Sequence, residues 1–158
     1  MTNPENNKQT HESDSSVQRK VESEVKIYLH KKHGWNLSAN KREFSSKYEL
    51  DFCDLENKIM GEIYAGIDKV NPAQKNKVKA DLLKLIAAER DFGNKWEKHY
   101  VFVDKNVEKA FIGDSWLGDA IKSFNIKLST VSLSDLKPGI EAELREAKAK
   151  QQRGNQTK

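Results

Sequence analysis

The chain has 158 residues, 36% of them hydrophobic and 33% charged, with a formal net charge of +4 at neutral pH. That length suits one domain with a real core. No apolar run approaches the roughly 20 residues of a membrane span, and the start carries no signal-type apolar stretch, so a cytoplasmic location is expected. The single cysteine, Cys53, excludes an internal disulfide and a cysteine-based zinc site.

Residues 1–16 are rich in Asn, Gln, Ser and Thr without apolar periodicity. They are expected as a disordered tail ahead of a single domain over 17–152. Ser15 or Ser16 can cap a helix over 17–32 whose stripe is Val17, Val21, Val25, Tyr28 and Leu29, with Gly34 as its stop. Residues 35–44 then form a connection with room for a short strand.

Tyr48-Glu49-Leu50-Asp51-Phe52-Cys53, a polar turn over 54–57, and Lys58-Ile59-Met60-Gly61-Glu62-Ile63-Tyr64-Ala65 read as a β-hairpin. Side chains alternate along a strand. Pairing Cys53 with Lys58 puts Tyr48, Leu50, Phe52, Ile59 and Ile63 on one face. Glu49, Asp51, Cys53, Met60, Glu62 and Tyr64 take the other. Asp51 then stands opposite Met60, with Glu62 as its diagonal neighbour about 7–8 Å away. Two carboxylates so placed can converge on one hard divalent cation, Mg²⁺ or Mn²⁺, as a phosphodiesterase site requires. The alternative is a solvated pair of ordinary acids. Against it stands the tendency of α/β sheets to be covered on both faces, where an acid needs partners.

Past a loop with Gly66, Asn71 and Pro72, a helix is expected over 73–90, with Val78, Leu82, Leu85 and Ile86 as its buried stripe. Its lysines Lys75, Lys77, Lys79 and Lys84 are either a solvated face or contacts for nucleic-acid phosphates. A short strand over 100–103 follows, then a helix over 106–124 interrupted at Gly113-Asp114-Ser115. An alternating strand over 126–133, a turn with Pro138, a helix over 139–152 and a frayed end over 153–158 complete the chain. Helices joining strands imply crossovers and parallel pairing, so the fold class is α/β, a three-layer sandwich with a central mixed sheet. His30 and His33 read as a favourable helix C-terminus rather than a ligand set. The positive net charge permits a nucleic-acid partner without establishing one.

This order, with an acid in the second strand and another in the third, resembles the restriction-endonuclease-like core of the PD-(D/E)XK endonuclease superfamily. Within it, the chain is most similar to the archaeal Holliday-junction resolvases and the small endonucleases of that type. Glu22-Ser23-Glu24-Val25-Lys26-Ile27-Tyr28-Leu29 before Gly34-Trp35 resembles the family's opening helix, which carries a glutamate. Glu22 fits that position better than Glu24. Tyr48-Glu49-Leu50-Asp51-Phe52 resembles the first acidic strand, and Met60-Gly61-Glu62-Ile63-Tyr64 falls where the family has E-x-K. The resemblance covers about 17–133 and implies Asp51 and Glu62, with Glu22 or Glu24, as ligands to Mg²⁺ or Mn²⁺.

The departure is Tyr64, which stands where the family has lysine and carries no positive charge at neutral pH. In some members of the superfamily that lysine has moved to the following helix. Here Lys75, Lys77, Lys79 and Lys84 are on offer, with Lys77 or Lys79 expected to reach back as a catalytic group. The implied function is a metal-dependent DNA endonuclease in which the cation polarises the scissile phosphate and a lysine offsets developing charge. The other readings are a catalytically inactive nuclease-fold module for DNA or a protein partner, and a structural protein. DNA is the expected partner, with no membrane, and a homodimer is left open.

Overall fold

The structure is a computed structural model that describes residues 4–37, 45, 47–93 and 95–156, with side chains from Ser15 onward. Among these, β1 (Phe52–Asp54), β2 (Ile59–Tyr64), β3 (Glu97–Phe102) and β4 (Ile126–Thr130) form one open sheet in that order. β1 is antiparallel to β2, and the other two pairings are parallel. α1 (Pro4–His33) and α5 (Ile140–Gln156) cover one face. α2 (Pro72–Phe92), α3 (Lys105–Lys109) and α4 (Trp116–Ser123) cover the other. This is the expected α/β three-layer sandwich with a mixed sheet.

The helices are set by their caps and stripes. Val21, Val25 and Leu29 of α1 recur every four residues and meet Phe52, Ile59, Ile63 and Val101 of the sheet. Gly34 ends α1 in the left-handed region at φ 72°, and its N–H donates to the His30 carbonyl at 2.8 Å. Asn71 and Gln74 cap the start of α2 reciprocally, with Pro72 in the first turn and Gly93 at the end with φ 81°. Val78, Leu82 and Leu85 of α2 bury against Met60, Tyr64, Tyr100 and Phe102. Among the described residues, no helix is long and apolar enough to cross a membrane.

Several boundaries differ from expectation. α1 starts at Pro4 rather than at Val17, because 5–33 holds neither Gly nor Pro to interrupt it and proline suits a first turn. α5 likewise runs on to Gln156. β3 starts at Glu97 rather than Tyr100, and its buried Lys98 is tolerated because it meets Glu89 at 2.6 Å. A strand within 35–44 finds no support at 35–37, and 38–44 lie outside the described residues.

The hairpin register is also corrected. Cys53 pairs with Met60, not Lys58, and Asp54 pairs with Ile59. The Asp54 carboxylate accepts from Asn57 N–H at 3.0 Å, Asn57 Nδ2 at 2.8 Å and Asn36 N–H at 2.8 Å. Asp54 therefore stays at the strand end, and the turn shifts to 55–58, with Lys58 at φ 54°. The slip is two residues, so the two faces are preserved on β2. Continued one step, the register sets Asp51 directly opposite Glu62 rather than diagonal to it. The chain bends there, and the Asp51 carboxylate accepts from the Ile63 N–H at 2.8 Å. Before the bend, Leu50 and Tyr48 turn to the α2 side instead of joining Phe52.

Candidate active site

Glu62 lies near the carboxyl end of β2 on the α2 side and is 2% exposed. Its register partner on β3 is Tyr100, which is fully buried. Continuing the hairpin register brings Asp51 opposite Glu62 on the other side, close enough for the Asp51 carboxyl to raise the pKa of Glu62. α2 passes over this group and presents Lys77, Asp81 and Lys84 from one face, at spacings of four and three residues.

The contacts are specific. The Lys84 ammonium forms an ion pair with Glu62 Oε1, donates to the Glu49 carbonyl at 3.0 Å, and lies 3.9 Å from Asp81 Oδ1. Apart from that ion pair, Glu62 Oε1 is buried without a hydrogen-bond partner. Asp81 Oδ2 accepts from the Tyr100 hydroxyl and from Lys77 Nζ, both at 2.9 Å. Burial, then the contact and charge of Asp51, push Glu62 up to about 9 against the pull of Lys84. Burial works against the charge on Lys84, but Glu62, Asp81 and Asp51 outweigh it and raise its pKa. At neutral pH Glu62 therefore favours its protonated form, and the neighbouring ammonium stays charged.

The other expected site residues fall elsewhere. Lys79 lies over the Trp116 ring, 5.6 Å from its centroid, and Lys75 lines an open groove with Asp68, Lys69 and Asn106. Lys77 reaches Asp81 and stands 6.0 Å from the Tyr64 ring centroid. Lys84, rather than Lys77 or Lys79, is the lysine on the carboxylate pair. Tyr64 is buried, burial raises its pKa, and its ring lies where a side chain on Gly66 would be. Glu22 and Glu24 belong to α1, which packs on the opposite face, and Glu24 lines a groove with Arg19 and Lys137. Among the described residues, no group of three or more His, Cys, Asp or Glu could hold a metal ion, so neither glutamate joins Asp51 and Glu62 as a third ligand.

Asp81 and Tyr100 are the members of the cluster that sequence reasoning passed over as site residues. A signal for Asp81 was present: it falls between Val78 and Leu82 on the buried stripe, where a charge needs a reason. Nothing in the sequence singles out the Tyr100 hydroxyl. Comparison with protein-family models, with curated proteins and with solved structures finds no match to this chain.

Proposed function

We propose that the chain is a metal-dependent DNA endonuclease of the PD-(D/E)XK type, with Lys84 in the role of the displaced lysine. The observation that carries this reading is the pairing of Asp51 with the buried Glu62 across the hairpin, with an ammonium on Glu62. Burial and the neighbouring acid oppose ionisation of Glu62, and a divalent cation between the two carboxyls would relieve that opposition. The donor set is all hard oxygen, and Glu62 Oε1 is a buried atom without an aligned hydrogen bond. Mg²⁺ is commonly held by one or two carboxylates, with waters and substrate phosphate completing its shell, so a third acid is not required. Asp51 and Glu62 would hold it. Bound there, a divalent cation supplies Lewis-acid polarisation of a phosphate.

The chain's own residues do the rest. Lys84 offers positive charge beside the pair, where charge on a phosphate would develop. Tyr100 and Asp81 limit where that ammonium can go. Lys75, Lys77 and Lys79 give α2 the cationic character a phosphate backbone needs. A second reading, a catalytically inactive nuclease-fold module that binds DNA or a protein partner, is favoured by the partners these groups already have: Asp51 takes the Ile63 N–H and Glu62 takes Lys84.

The test is plasmid cleavage with Mg²⁺ or Mn²⁺ by wild type, Glu62→Gln and Asp51→Asn, alongside DNA affinity. Loss of cleavage by at least a hundredfold with retained DNA binding is expected in both variants, on the order of the loss when one transition-state stabilising group is removed. DNA binding by wild type without any cleavage would favour the inactive module.

A further inference from the structure

We propose that Lys84 is a two-position side chain governed by Asp81: its ammonium sits on Glu62, and a divalent cation entering the Asp51–Glu62 pair moves it to Asp81. This rests on the nuclease-type reading of that pair and adds Asp81 and Tyr100 as positioning residues. An ammonium and a divalent cation on the same carboxylate repel strongly in a partly desolvated site. The lysine needs somewhere to go, and its flexible four-carbon stem lets it move.

The structure holds a second seat ready. Asp81 Oδ1 faces Lys84 Nζ at 3.9 Å, beyond hydrogen-bonding reach yet close enough for attraction. Asp81 Oδ2 is engaged by the Tyr100 hydroxyl and Lys77 Nζ, each at 2.9 Å, so the carboxylate cannot swing away. Tyr100 is fully buried and sits beside Glu62 across the parallel β2–β3 register. One rigid strand pair thus sets both seats, Glu62 directly and Asp81 through the tyrosine. An ordinary helix pair of Lys77 with Asp81 would need neither the burial of Asp81 nor a tyrosine donor.

The experiment is a Mn²⁺ titration by calorimetry on the full chain, without DNA, in wild type, Asp81→Asn, Tyr100→Phe, Lys84→Met and the two doubles with Lys84→Met. Asp81→Asn should weaken Mn²⁺ binding about tenfold, in the range seen for outer partners of metal ligands. Tyr100→Phe should act in the same direction and less. Lys84→Met should bind at least as tightly as wild type, and in that background both losses should vanish. Equal losses with and without Lys84 would overturn the proposal, as would wild-type affinity in both Asp81→Asn and Tyr100→Phe. If Asp81→Asn does not fold, the Tyr100→Phe comparison decides alone. Mn²⁺ bound by neither wild type nor Lys84→Met would sink the nuclease reading itself and this inference with it, a different result from a loss that ignores Lys84.

Discussion

On β2, Ile59, Gly61 and Ile63 face α1 and α5, while Met60, Glu62 and Tyr64 face α2 and its neighbours. The first face sets carbon against carbon: Phe52 lies over Gly61, where a Cβ would come within 2.0 Å of its ring, and Ile63 and Val101 meet the valines of α1. Each such aliphatic side chain contributes roughly 1.5–3 kcal/mol when fully buried. The polar groups of that face, Asp54 and His99, are held locally by the turn and by Glu97 at 2.7 Å. The second face gives up part of its apolar area to Glu62, Tyr100, Asp81 and Lys98. Their desolvation is only offset by partners, so apolar replacements of similar shape would often serve stability as well or better. In a four-stranded sheet with little area to spare, packing alone does not account for that sacrifice, and the proposed metal site would.

The comparison breaks first on the apolar face. Ile63→Ala should cost about 2–5 kcal/mol by urea unfolding while leaving Mn²⁺ affinity unchanged in the folded protein. A matching loss of Mn²⁺ affinity would mean the two faces are not separable.

A smaller effect, with a pH signature, is expected from Glu62→Gln. The native pKa of Glu62 is raised from 4.5 to about 9. Below 4.5 both native and unfolded chains carry its proton. Between those values the unfolded chain has released it and the native one has not, so stability falls as pH rises, by at most roughly 1.4 kcal/mol per pH unit. Glu62→Gln should flatten that slope in metal-free protein between pH 5 and 8, and Mn²⁺ should flatten it in wild type only. Parallel wild-type and variant curves would place the proton elsewhere.

Tyr64→Phe keeps the ring and removes the hydroxyl, so stability should change by less than about 1 kcal/mol and cleavage should be unaltered. A hundredfold drop in turnover would return the tyrosine to the chemistry. Smallest of all, Lys75→Ala and Lys79→Ala should stay within about 0.5 kcal/mol of wild type in stability. Each should lower DNA affinity and reduce its salt slope by about one counterion.

Much of this was legible in the chain because it depends on local period and local chemistry. The alternation of β2 sorts Glu62 from Ile63 whatever strand it pairs with, and a two-residue slip of the hairpin leaves that sorting intact. Gly34 reads directly as a helix stop and Gly113-Asp114-Ser115 as a helix interruption, while Asn71 and Pro72, expected in the loop, prove to be the cap and first turn of α2. Alternation puts Leu50 and Tyr48 on the wrong face because it assumes a straight strand, whereas the chain bends at Asp51, whose side chain takes the Ile63 N–H.

The sequence by itself determined the α/β class, the single-cysteine chemistry, the two faces of β2 and the presence of Asp51 and Glu62 on the same one. Only the tertiary structure decided that Asp51 lies directly beside Glu62, that Lys84 reaches the pair while Lys79 turns to Trp116, and that Tyr100 fixes Asp81. The reason is geometric. Residues on a helix are separated by about 100° of rotation each and by their rise along the axis. Which lysine arrives at a given strand residue therefore depends on where α2 comes to rest over the sheet. That resting place is set by the packing of Val78, Leu82 and Leu85 against Met60, Tyr64 and Tyr100, contacts between segments far apart in the chain.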